Sequence, residues 1–113
     1  MNVLIYIVVF LISANLYSQD YKDDISVVQF SAPFTQKAEV SLKQFNDHNI
    51  HTLCITKQKK FFDEEKIVYL PTIVLYHNGE EILRIESGIG LKLPEDTLTK
   101  IEDEIEIIIE SKF

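Results

Sequence analysis

The sequence predicts one α/β domain in which a mixed four-stranded sheet carries helices on both faces. Three observations lead there. A strand–helix–strand run begins at Ile25, and its crossover places the first two strands parallel with a right-handed connection. Asn78-Gly79 joins two β-rich runs as a tight hairpin, which makes the last two strands antiparallel. The closing segment carries Leu98, Ile101, Ile105, Ile108 and Ile109 as an apolar stripe at helical spacing. With 113 residues the chain has room for one such domain and none for a second.

Residues 1–18 contain no Asp, Glu, Lys, Arg or His, and Val3 to Ile12 is unbroken apolar sequence followed by small and polar residues. This reads as a signal peptide cleaved near Ser18, which implies export to the medium, a periplasm or the lumen of the endoplasmic reticulum. Two alternatives stay open: an uncleaved membrane anchor through residues 3–17, and a buried strand of the domain itself. Residues 19–24 are an acidic, polar linker, and the domain occupies 25–113.

Within the domain, Ile25 to Phe30 is apolar and β-rich, as a strand buried on both faces should be. Pro33 ends it, because proline cannot continue a ladder. Gln36 to His48 reads as a helix with Ala38, Leu42 and Phe45 on one face and Thr35 as N-cap. Ile50 to Thr56 alternates as a second strand. Lys57 to Lys66 is charged and forms a short helix or loop around Phe61-Phe62. Ile73 to His77 is the third strand and Glu80 to Ser87 the fourth, across the hairpin. Gly88 to Leu93 is a loop. Pro94-Glu95-Asp96 opens the last helix, with proline in the first turn and acids at its positive end.

Eighteen acidic and 11 basic side chains leave a formal charge of −7, and Arg84 is the only arginine. That balance excludes a general nucleic-acid binder. An apolar fraction of 46%, with 11% aromatic, supports a packed core and excludes disorder. The single cysteine, Cys54, excludes an internal disulfide, a dithiol pair and a Cys-based zinc cluster.

Val28-Gln29-Phe30-Ser31-Ala32-Pro33-Phe34 resembles the strand and turn before a thioredoxin active site. Leu70-Pro71-Thr72-Ile73-Val74-Leu75-Tyr76-His77-Asn78-Gly79-Glu80, followed by Gly88, resembles that family's cis-proline segment and hairpin. The resemblance covers residues 25–112 and implies a thioredoxin-like fold of βαβ-ββα order. It also implies that the family's C-x-x-C falls on Thr35 and Ala38, neither of which forms a thiolate. The family's buried acid falls on Gln29, and its tryptophan before the first cysteine on Phe34. What remains is the recognition half of such a site. Phe34, Thr35, Leu70, Pro71, Gly88 and Ile89 would line an apolar groove for an extended polypeptide or protein partner, paired as an added strand.

The expected function is accordingly a redox-inactive, exported binding domain that uses no cofactor and no metal. An oxidoreductase working through Cys54 or through a partner's thiol is the alternative, and a structural domain tethered at a membrane is a third. Cys54, flanked by Leu53 and Ile55, reads as a small buried hydrophobe within the second strand. Thr35 reads as a helix cap before it reads as a hydroxyl holding a bound thiolate. His48, His51 and His77 lack ligand spacing and read as surface or turn residues. Lys57, Lys59 and Lys60 read as a solvated face, as do the acids of the last helix.

Overall fold

The computed structural model describes residues 20–111. The apolar segment 1–18, with the expected leader or tether, lies outside the described residues. Strand β1 spans Ile25–Ser31, β2 Asn49–Cys54, β3 Thr72–His77 and β4 Glu80–Glu86, while helix α1 spans Ile55–Glu64 and α2 Thr97–Ser111. Short 3-10 turns occupy Asp20–Lys22, Pro33–Ala38 and Lys43–Phe45. The sheet order is β2-β1-β3-β4. β1 pairs parallel with β2 and antiparallel with β3, and β3 pairs antiparallel with β4.

Alternation along the two central strands builds two cores. Ile25 and Val27 of β1, with Ile73 and Leu75 of β3, face Ile101, Ile105 and Ile108 of α2 together with Leu42 and Phe45. Val28 and Phe30, with Val74 and Tyr76, face Phe62 of α1 together with Tyr21. The rings of Phe30 and Phe62 meet edge to face at 5.0 Å. At the hairpin, Asn78 and Gly79 both take positive φ (51° and 87°), the geometry a two-residue turn needs to match strand twist. Their amides donate to Asp24 O and Lys22 O, so the hairpin tip is tied to the segment that enters β1.

Three boundaries and one buried position differ from the sequence expectations. The helix expected over Gln36 to His48 is two 3-10 turns separated by extended chain, with Glu39 at φ −67°, ψ 147°. The cause is Gln29, whose Nε2 donates to Val40 O and whose Oε1 accepts from Val40 N, both at 2.9 Å. An α-helix through Val40 would spend those groups within itself; the buried amide takes them instead, and β-branched Val40 offers the helix little in return. Second, β2 stops at Cys54 and α1 starts at Ile55, because the Gln58 side chain accepts from Cys54 N at 2.9 Å and closes the junction. Third, α2 begins at Thr97: the amide and hydroxyl of Thr97 both donate to Pro94 O, which closes residues 94–97 into a lead-in turn. Fourth, Ile109 is exposed at the edge of the α2 stripe, while Thr97 completes the stripe beneath Ile101.

Gln29→Ala leaves both Val40 groups without their partners and should cost about 2 kcal/mol, read as a lower urea midpoint. Gln29→Glu gives a sharper readout. An ionised carboxylate can accept from Val40 N but has no proton for Val40 O, so burial and this mismatch raise its folded pKa above the unfolded value of about 4.3. The stability it supplies is then complete below about pH 4.3 and lost as pH rises through the folded pKa. The gap in urea midpoint between the variant and the parent should therefore widen from pH 4 to pH 8; a constant gap would show that the clamp is not what holds Val40.

Candidate functional site

The register brings four strand ends to one side of the sheet. Ser31 of β1 stands opposite Cys54 of β2, Phe30 opposite Thr72 of β3, and Thr72 opposite Glu86 of β4. The segments that leave these ends carry the residues singled out above. The Leu70–Pro71 peptide bond is cis. Ser87 N donates to Pro71 O at 3.2 Å, which draws the start of the Gly88 loop against the proline. Thr72 Oγ1 donates to Tyr69 O at 2.6 Å and fixes the approach to Pro71.

The six residues fall into two groups by exposure. Phe34 is 71% exposed and Ile89 93% exposed, with Gly88 and Leu70 half-buried. Pro71 and Thr35 are buried. Thr35 is the third residue of its 3-10 turn, not the cap: its Oγ1 accepts from Ala32 N at 3.0 Å, and Ser31 Oγ lies 3.1 Å away. Its hydroxyl also lies 3.1 Å from Ala32 O. The side chain is therefore occupied in holding the turn that presents Phe34. Phe34 and Ile89 are carried by segments that leave the same end of the sheet, and Val68, Tyr69 and Leu91, also exposed, lie on the adjoining segments.

Cys54 corrects an expectation. It is the last residue of β2 and half-buried at the entrance to α1, not a core residue within a strand. Thr56 Oγ1 lies 3.1 Å from Sγ, and hydrogen bonding from Thr56, aided by the charge of Lys57, holds the thiol below its ordinary pKa. Flanking Leu53 and Ile55 concealed this boundary in the sequence. The histidines stand on three separate elements or turns, and among the described residues no cluster of three or more His, Cys, Asp or Glu could hold a metal ion.

A second polar cluster lies at the opposite end of the sheet and serves the fold. Lys22 pairs with Glu65, Tyr21 donates to Glu65 Oε1 at 3.0 Å, and Lys22 Nζ stands 5.4 Å from the Tyr76 ring centroid. Burial, then the negative charge of Glu65, raises the pKa of both tyrosines above the ordinary phenol value. Arg84 binds Glu81 and donates to the carbonyls of Glu65 and Lys66 just past the end of α1, where a cation is favoured. Residues far apart in sequence build this cluster, and no local motif announces it.

Comparison with solved structures gives the architecture its name. Thioredoxin from Schistosoma mansoni is similar at a TM-score of 0.57 and 17% identity, over 83% of this chain and 85% of that one. Oxidised thioredoxin from Plasmodium falciparum is similar at 0.56 and 17% identity, over 80% and 90%. The chain has the thioredoxin fold. A designed protein shares it at a TM-score of 0.60 and 17% identity, over 81% of this chain and 85% of that one. No family model matches the sequence, and no curated protein does. At these identities the likeness concerns backbone architecture. On this thioredoxin fold the chain holds one cysteine, so no C-x-x-C pair stands at the turn after β1.

Thr56→Val should raise the Cys54 pKa. The pH profile of alkylation by iodoacetamide should move to higher pH, with a lower rate at neutral pH. An unmoved profile would show that Thr56 does not set the thiol's acidity.

Proposed function

We propose that this domain binds extended polypeptide at the strand ends around Pro71 and carries out no thiol–disulfide exchange of its own. The observation that supports the reading is the exposure of Phe34 and Ile89 on segments that leave the strand ends where Thr35 and Pro71 are buried. Phe34 supplies an aromatic surface and Ile89 an aliphatic one. Leu70 supplies backbone groups to which an extended chain can pair as an added strand. Thr35 and Ser31 hold the turn beneath Phe34. The dithiol chemistry of the fold needs a nucleophilic and a resolving sulfur, and Thr35 and Ala38 offer neither. Export belongs to this reading through the uncharged apolar segment 3–17, and amino-terminal sequencing of the mature protein should begin near Gln19.

One observation favours a second reading, an oxidoreductase using Cys54 as a monothiol: the half-exposed thiol is acidified by Thr56. Reduction of insulin by dithiothreitol separates the two. On the binding reading, turnover with the protein equals that with Cys54→Ser; turnover that vanishes in Cys54→Ser establishes the enzyme.

Phe34→Ala should weaken binding of extended, apolar peptides by roughly tenfold, since aromatic anchors dominate such contacts. It should leave the urea midpoint nearly unchanged, because the side chain is exposed. Fluorescence anisotropy measures the first and denaturation the second. Undiminished binding in Phe34→Ala and in Leu70→Ala would refute the groove.

A further inference from the structure

Beside the proposed groove lies a pocket of about 360 Å³ lined by Lys37, Ala38, Val40, Lys92 and Leu93. Its walls continue the two sides of the groove. The 3-10 turn that presents Phe34 ends with Lys37 and Ala38, and the loop that carries Gly88 and Ile89 runs on to Lys92 and Leu93. Three of the lining residues are apolar, and the other two are exposed lysines.

Half of the other described cations are held in ion pairs, while Lys43, Lys57, Lys59 and Lys66, like these two lysines, make no salt bridge among the described residues. Lys22, Lys60, Arg84 and Lys100 each face a carboxylate within the protein. Lys37 and Lys92 have no such ion pair among the described residues, although the chain carries 18 acidic side chains. Glu39, next in sequence to Ala38, lines the neighbouring depression with Gln29 and Thr52 and not this one. Two uncompensated positive charges beside apolar lining residues complement a ligand that brings negative charge and an aliphatic stem, as a glutamate or aspartate side chain in an extended segment does.

We propose that the pocket between Lys37 and Lys92 selects polypeptides with an acidic side chain beside the stretch held at Phe34 and Leu70. The proposal rests on the groove reading and gives that groove a sequence preference. An acidic segment would otherwise be repelled by the net negative charge of the domain, so the lysine pair also decides where such a segment can approach.

The test uses the full chain and three fluorescein-labelled decapeptides of alternating valine and threonine, whose two central residues are Asp-Glu, Asn-Gln or Lys-Lys. In low salt the acidic peptide should bind at least about fivefold more tightly than the amide peptide, the scale of two exposed ion pairs. The preference should shrink at high salt. It should vanish in the Lys37→Gln, Lys92→Gln double variant without loss of affinity for the amide peptide. Phe34→Ala should weaken the acidic and amide peptides alike. Equal affinity of these two peptides for the parent protein, or a preference that survives in the double variant, overturns the pocket while leaving the groove in place. Binding unaffected by Phe34→Ala removes the groove, and binding of none of the three removes both.

Discussion

Strand β1 is buried along its whole length, all seven residues of it, so none of its polar side chains can turn to water for a partner. Each finds one inside the fold, and each thereby fixes a different connecting segment. Ser26 Oγ donates to Asp23 O at 2.6 Å and holds the entry to the strand. Gln29 holds Val40, and Ser31 meets Thr35. The three serve as anchor points spaced along one rod. The loops gain their shapes from the need of a central strand to satisfy its own polar groups.

The middle anchor bears on chemistry. Gln29 is an amide that gives one bond and receives another, a pairing that a carboxylate cannot reproduce once ionised. The same clamp breaks the chain after the first 3-10 turn, so the segment at Thr35 and Ala38 is not the start of a long helix with a strong dipole. The buried amide and the interrupted helix are thus one local arrangement. What the arrangement leaves at the surface is apolar: Phe34 raised on a turn whose interior hydroxyls are consumed.

Much of the architecture was legible because it depends on short-range pattern. The apolar run of β1, the Asn-Gly turn and the Ile101, Ile105, Ile108 stripe each report a local period or a turn geometry, and each is found where the pattern puts it. The interrupted helix was not legible in the same way. Leu42 and Phe45 do reach the core as their spacing implies. The backbone around them is set by Gln29, 11 residues from Val40, and a helical period carries no trace of a competitor at that distance. Cys54 was misplaced for a related reason: Leu53-Cys54-Ile55-Thr56 alternates smoothly across a boundary that the Gln58 side chain creates. At the site, Phe34 and Ile89 could be named from the resemblance. The burial of Thr35, and the placement of Lys37 and Lys92 around one pocket, depend on how two distant loops settle against the sheet.

The sheet has two free edges, β2 and β4, and they differ in character. Glu80, Glu81 and Glu86 are exposed along β4. Two copies of the protein that tried to zip together antiparallel along this edge would set rows of carboxylates against each other, a like-charge arrangement that deters open strands from aggregating. The strand that covers the core on one face thus also carries, along its open edge, the charge that disfavours pairing with another copy.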